Sequence, residues 1–129
     1  MVAIDTNIIV RFLTRDDEEQ FKKTLSLFKN QDIFIPDTVI LETEWVLRYA
    51  YNFDSVRIST ALTKLFGLSN VYLLNASLIA QAIEWHGKGM DFADALHLTQ
   101  SQKQACLYTF DKRFIKTSTA LQDHPVLQP

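Results

Sequence analysis

Residues 2–7 read Val-Ala-Ile-Asp-Thr-Asn, three apolar side chains closed by an acid and two small polar groups. An apolar run this short, bounded by polar residues, reads as a buried strand, and the acid stands where the chain leaves the sheet. The same form recurs at Ile33–Ile35, at Val71–Leu74 and at Cys106–Phe110, the last followed directly by Asp111. Segments of helical period lie between these runs. Phe21, Leu25 and Phe28 repeat at i, i+4, i+7 behind an acidic start, Asp16-Asp17-Glu18-Glu19. Pro36 and Asp37 open a helix that runs to about Tyr51, and Asp54 opens another to about Phe66. Two more run from Ser77 to about His86 and from Asp91 to about Gln102. Strands joined by crossover helices predict an α/β fold, a small parallel β-sheet flanked by helices on both faces.

At 129 residues and 47% hydrophobic, the chain has the size of a single domain, 1–129, and should bury roughly two-thirds of its unfolded surface. With three glycines, three prolines and no biased tract, no linker or internal repeat is expected. Fifteen acidic residues against thirteen basic ones exclude a globally basic nucleic-acid binder and leave a local basic patch open. The start, MVAIDTN, lacks the basic and long apolar regions of a secretory signal, and no apolar run is long enough for a membrane span. Cys106 is the sole cysteine, so no internal disulfide or thiolate metal cluster is possible. A soluble protein of the reducing cytoplasm is expected.

In open α/β sheets, ligands bind at the carboxyl ends of the strands. Asp5 and Asp111 end strand runs, and Asp91 and Asp94 open a helix, so acids from distant parts of the chain could meet on one rim. Each also has a purely structural reading. Asp5 could cap the helix suggested by IIVRFL, although Thr6 and Asn7 stand nearer to it; Asp111 could cap a short helix in KRFIK. Asp91 could be an N-cap with Asp94 in the first turn, where the helix dipole favours acids. On a wheel of about 100° per residue, Glu44 and Arg48 form a solvated i, i+4 pair, whereas Glu42 falls on an apolar face near Trp45, Val46 and Tyr49. A carboxylate there is costly unless something neutralises it. Of the histidines, His86 and His124 read as surface residues, and His97 as a packing or locally hydrogen-bonded group.

Several carboxylates converging without a basic partner raise one another's pKa and disfavour folding unless a cation sits among them. Oxygen-only ligands point to Mg²⁺ or Mn²⁺ rather than Zn²⁺.

Taken together, AIDTN, Glu42 within IPDTVILE, DFADALHL and YTFD resemble the acidic quartet of PIN-domain ribonucleases, over positions 1 to about 114. FADALHL is similar in particular to the toxin component of VapBC-type toxin–antitoxin pairs. The resemblance implies Mg²⁺- or Mn²⁺-dependent hydrolysis of RNA phosphodiesters, leaving 5′-phosphate and 3′-hydroxyl ends. Asp5, Glu42, Asp94 and Asp111 match the family's catalytic, metal-holding acids. Asp91 is then a cap or an additional acid, Thr109 a hydroxyl that orders the site, and Thr6 and Asn7 candidate additional residues beside Asp5. Lys112-Arg113-Phe114 departs from the commonest pattern, in which further polar or acidic residues follow Asp111. Candidate RNA phosphate contacts are Arg11, Arg15, Lys112, Arg113 and Lys116, for which a solvated face is the alternative. The resemblance also implies a homodimer and a cognate antitoxin protein.

Two other classes compete. A metal-dependent phosphatase of the haloacid dehalogenase type wants a second Asp two positions after the first, and that position is Asn7. A PIN-like interaction module without chemistry would not need the complete acid set, which is present.

Overall fold

The computed structural model describes residues 1–129. Their hydrophobic periodicity resolves into a helix-rich α/β fold with a small parallel sheet, the class expected from the sequence. β1 (Val2–Ala3), β2 (Ile33–Ile35) and β3 (Val71–Leu73) form a three-stranded parallel sheet in that order. Val2 pairs with Ile33 and Ala3 with Phe34; Ile33, Phe34 and Ile35 pair in turn with Val71, Tyr72 and Leu73. Ile33 and Ile35 are fully buried while Phe34 between them is half-buried, the period of two that a strand imposes.

The chain forms two compact units, Met1–Ala76 and Ser77–Pro129. In the first, α1 (Thr6–Thr14) packs on α2 (Glu18–Asn30) and on α3 (Asp37–Tyr49), and α4 (Ser55–Phe66) packs on α3 and β3. Phe12 and Phe28 stack with their rings 4.2 Å apart, joining α1 to α2. Offset aromatic contacts of this kind add to the stabilisation from area burial alone.

The second unit holds α5 (Ala76–Gly87) from Ser77 onward, α6 (Phe92–Thr99), β4 (Leu107–Tyr108), α7 (Lys112–Leu121) and β5 (Val126–Leu127). β4 and β5 make a second, two-stranded parallel sheet covered by α7. β5 lies in a tail for which the sequence suggested no element, and it gives the fourth apolar run its partner.

Aspartate starts most of the helices. Asp5, Asp17, Asp54, Asp91 and Asp111 are the N-caps of α1, α2, α4, α6 and α7, each accepting a backbone N–H of the first turn. This satisfies a donor that the helix leaves orphaned and sets a negative charge at the positive end of its dipole. Asp5, not Thr6 or Asn7, therefore caps α1. Two further expectations are corrected. Glu44 is only 1% exposed and turned inward, with Arg48 at 3.0 Å, so the pair is not solvated. His86 is buried, its Nδ1 2.9 Å from the Met90 carbonyl and its ring edge-on to Phe92, and His124 is half-buried. No helix is long and apolar enough to cross a membrane.

Candidate active site

In the first unit, Asp5 follows β1 and turns the chain into α1. Its Oδ1 accepts the Thr6 N–H at 2.7 Å, and the side chain is exposed. Thr6 itself points inward and is buried. Its hydroxyl donates a short hydrogen bond to Oε1 of Glu42, which ties the first turn of α1 to the middle of α3. Glu42 is exposed and shares a helix face with the exposed rings of Trp45 and Tyr49. The apolar face anticipated around Glu42 is thus open to solvent, and the carboxylate accepts from a neighbouring hydroxyl. Asn7 points elsewhere, into a cleft of about 450 Å³ that it lines with Ile8, Arg11 and residues of α2.

In the second unit, three acids act on one another. Oδ2 of Asp91 accepts the Asp94 N–H at 3.2 Å, the cap geometry expected for the DFAD start. Asp94 is half-buried in the first turn of α6. Burial first, and then the charges of Asp91 and Asp111, push its carboxyl up to about 6, with His97 opposing them. The helix dipole favours the charged form here, so desolvation and like charge outweigh it. Thr109 Oγ1 accepts the Asp111 N–H at 3.1 Å, while Asp111 Oδ1 accepts the Phe114 N–H at 3.0 Å. The hydroxyl before Asp111 thus orders the turn that presents the acid. His97 is exposed and is an electrostatic neighbour of Asp94 rather than a packing residue.

The cations divide into two kinds. Arg11 and Arg15 occupy the last turn and the C-cap of α1, a helix of nine residues, so Arg15 lies ~13 Å along the axis from the Asp5 end. Both are committed to neighbours. Arg11 donates to Gln20 Oε1 at 2.6 Å and pairs with Asp16 at 3.3 Å, while Arg15 pairs with Glu18 at 2.6 Å and stacks over Phe21. By contrast, Lys112, Arg113 and Lys116 are exposed on the first turns of α7 and make no ion pair.

The donor chemistry fits a hard divalent cation. Asp94 sits among like charges with only an exposed histidine opposing them, an arrangement that a bound cation would relieve. Within either unit, no three His, Cys, Asp or Glu side chains are set to grip an ion by themselves. Mg²⁺ suits that arrangement, since it keeps several waters and is held by one or two carboxylates together with substrate phosphate. Cys106 stands at the start of β4 and offers no thiolate cluster.

The family model described as PIN domain matches residues 2–119. A protein of Aquifex aeolicus (strain VF5) named VapC ribonuclease is 28% identical over 127 residues, covering 90% of this chain and 91% of its own length.

Proposed function

Because the chain belongs to the PIN-domain family, we propose that it is a Mg²⁺- or Mn²⁺-dependent endoribonuclease, the toxin of a VapBC-type pair, with residues 1–129 acting as one nuclease domain. The observation that carries this reading is the half-buried Asp94 carboxyl, pushed up to about 6 by burial and by Asp91 and Asp111. An acid in that state suits a task that needs charge brought in from outside, because its own surroundings supply little. The relative named VapC ribonuclease supports RNA as the substrate.

Asp5, Glu42, Asp94 and Asp111 are the acids that would hold the ion. When bound, it supplies a water of lowered pKa and positive charge at the scissile phosphate. The chain's own residues do the rest. Thr6 fixes the rotamer of Glu42, Thr109 fixes the turn that carries Asp111, and Asp91 starts α6 so that Asp94 falls in its first turn. Lys112, Arg113 and Lys116, which have no acidic partner, are the side chains suited to RNA phosphates. Arg11 and Arg15 are less suited, since each must first leave a carboxylate. In the same reading the protein works in the cytoplasm as a homodimer and is restrained by a small antitoxin protein.

A structured RNA incubated with the protein tests the proposal. Cleavage that requires Mg²⁺ or Mn²⁺ and stops with chelator supports it. Phosphate release from a small phosphomonoester without RNA cleavage would establish a phosphatase instead, and no metal-dependent reaction on either would establish an interaction module.

A further inference from the structure

β4 and the bend that leads from it to Asp111 carry two aromatic rings that the fold leaves exposed. From Leu107 to Phe110 the side chains alternate, with Leu107 and Thr109 half-buried, Tyr108 63% exposed and Phe110 79% exposed. Tyr108 ends β4, and Phe110 stands two positions on, in the bend that leads to Asp111. Thr109 N–H still donates to the Leu127 carbonyl at 2.9 Å, so the backbone beneath the rings is held in the ladder. Phe110 directly precedes Asp111, and Lys112, Arg113 and Lys116 follow it without ion pairs. Two exposed rings, three free cations and one acid thus occupy nine consecutive positions, 108–116.

We infer that Tyr108 and Phe110 form a stacking platform for unpaired bases next to the scissile phosphate, with Lys112, Arg113 and Lys116 holding the flanking phosphates. Such a platform takes bases that lie out of a helix, in a single-stranded stretch or a loop. A base offers its face to an aromatic ring only when it is out of a helix, and aromatic rings beside cations are the usual means of gripping single strands. Charge decides against a second copy of the chain seated here about a two-fold axis, which would set three unpaired cations against three more. A phosphodiester chain neutralises the cations with its phosphates and the rings with its bases. The inference rests on the ribonuclease reading, and binding measured without cleavage separates the two.

The test uses the full-length protein with chelator present and an RNA hairpin carrying a fluorescent purine analogue in its loop, compared with the fully paired duplex. The wild type should bind the hairpin more tightly than the duplex and quench the analogue. Phe110→Ala and Tyr108→Ala should each weaken hairpin binding roughly tenfold and abolish the quench, while Phe110→Trp restores both. Since both rings are exposed, these variants should fold. Wild-type hairpin affinity in Phe110→Ala, or equal affinity of the wild type for hairpin and duplex, would overturn the platform. So would a change of oligomeric state in Phe110→Ala, which would assign the rings to self-association. The expected binding pattern without any Mg²⁺-dependent cleavage would instead overturn the nuclease reading and leave the platform standing.

Discussion

The Thr6 hydroxyl donates to the Glu42 carboxylate across 36 positions of sequence, so a buried side chain in the first turn of α1 fixes an exposed acid on α3. Thr6→Val keeps the shape and removes the donor. The expected cost is about 1 kcal/mol of stability. RNA cleavage should fall by on the order of tenfold to a hundredfold, because a catalytic group that moves by a fraction of an ångström loses most of its benefit. Thr6→Ser should retain both properties. Thermal melts beside single-turnover cleavage check this, and a Thr6→Val protein of full activity would remove Thr6 from any positioning role.

Asp94 makes folding depend on pH with a definite sign. Burial and the charges of Asp91 and Asp111 push its carboxyl up to about 6 in the folded chain, from an ordinary 3.8. Between those values the folded chain keeps a proton that the unfolded chain has released. Stability therefore falls as pH rises through that window, and the full cost is present above it. Asp94→Asn removes the cost. In metal-free buffer the variant should melt about 3 °C higher than the wild type near about pH 7.5, after allowance for solvent screening of a partly exposed group. Near about pH 3.5 the two should coincide. A calorimetric pH series decides, and a gain that is the same at both pH values would mean that the carboxyl is not strained by its surroundings.

Metal should reverse that effect. An ion that binds the folded chain alone stabilises it by about 2.7 kcal/mol at a hundredfold excess over its Kd. Mg²⁺ or Mn²⁺ should then raise the wild-type Tm by several degrees and leave Asp94→Asn nearly unmoved. Equal rises in the two proteins would place the binding elsewhere.

Asp111 has two separable duties, as the cap of α7 and as a charge beside Asp94. Asn caps a helix about as well as Asp does, and Ala costs about 1 kcal/mol. Asp111→Asn should keep the cap and, in metal-free buffer above about pH 6, melt slightly higher than the wild type, while NMR titration of Asp94 moves to lower pH and metal affinity falls. Asp111→Ala should lose stability as well. An unchanged Asp94 titration in Asp111→Asn would deny the electrostatic link.

The strands and most helices were legible because their signals are local: an apolar run, a period of 3.6, an aspartate at the start. β5 was not, since Val126–Leu127 is two residues long and becomes a strand only by pairing with β4. The cap of α1 was misread because Thr6, adjacent to the helix, is turned inward to Glu42, a contact that no neighbouring residue announces. Glu44 and Arg48 were paired correctly by spacing, but the wheel does not say which faces of α3 are covered, and Glu44 lies on a covered one. His86 is buried through the turn that follows α5, where Gly89 takes φ 109 and brings the Met90 carbonyl to the ring. Asp91 as cap was readable in DFAD, because a capped first turn fixes the separation of Asp91 and Asp94. The exposure of Tyr108 and Phe110 was not, since an apolar run looks the same whether its alternate side chains meet a core or solvent.

Cleavage of an end-labelled structured RNA by the wild type and by Asp5→Ala and Asp94→Ala, with Mg²⁺ and with chelator, tests the central claim most directly. The expected result is cutting by the wild type in Mg²⁺ alone, with both variants inactive and still folded by circular dichroism. Full cleavage by either folded variant, or cutting that persists in chelator, would contradict it.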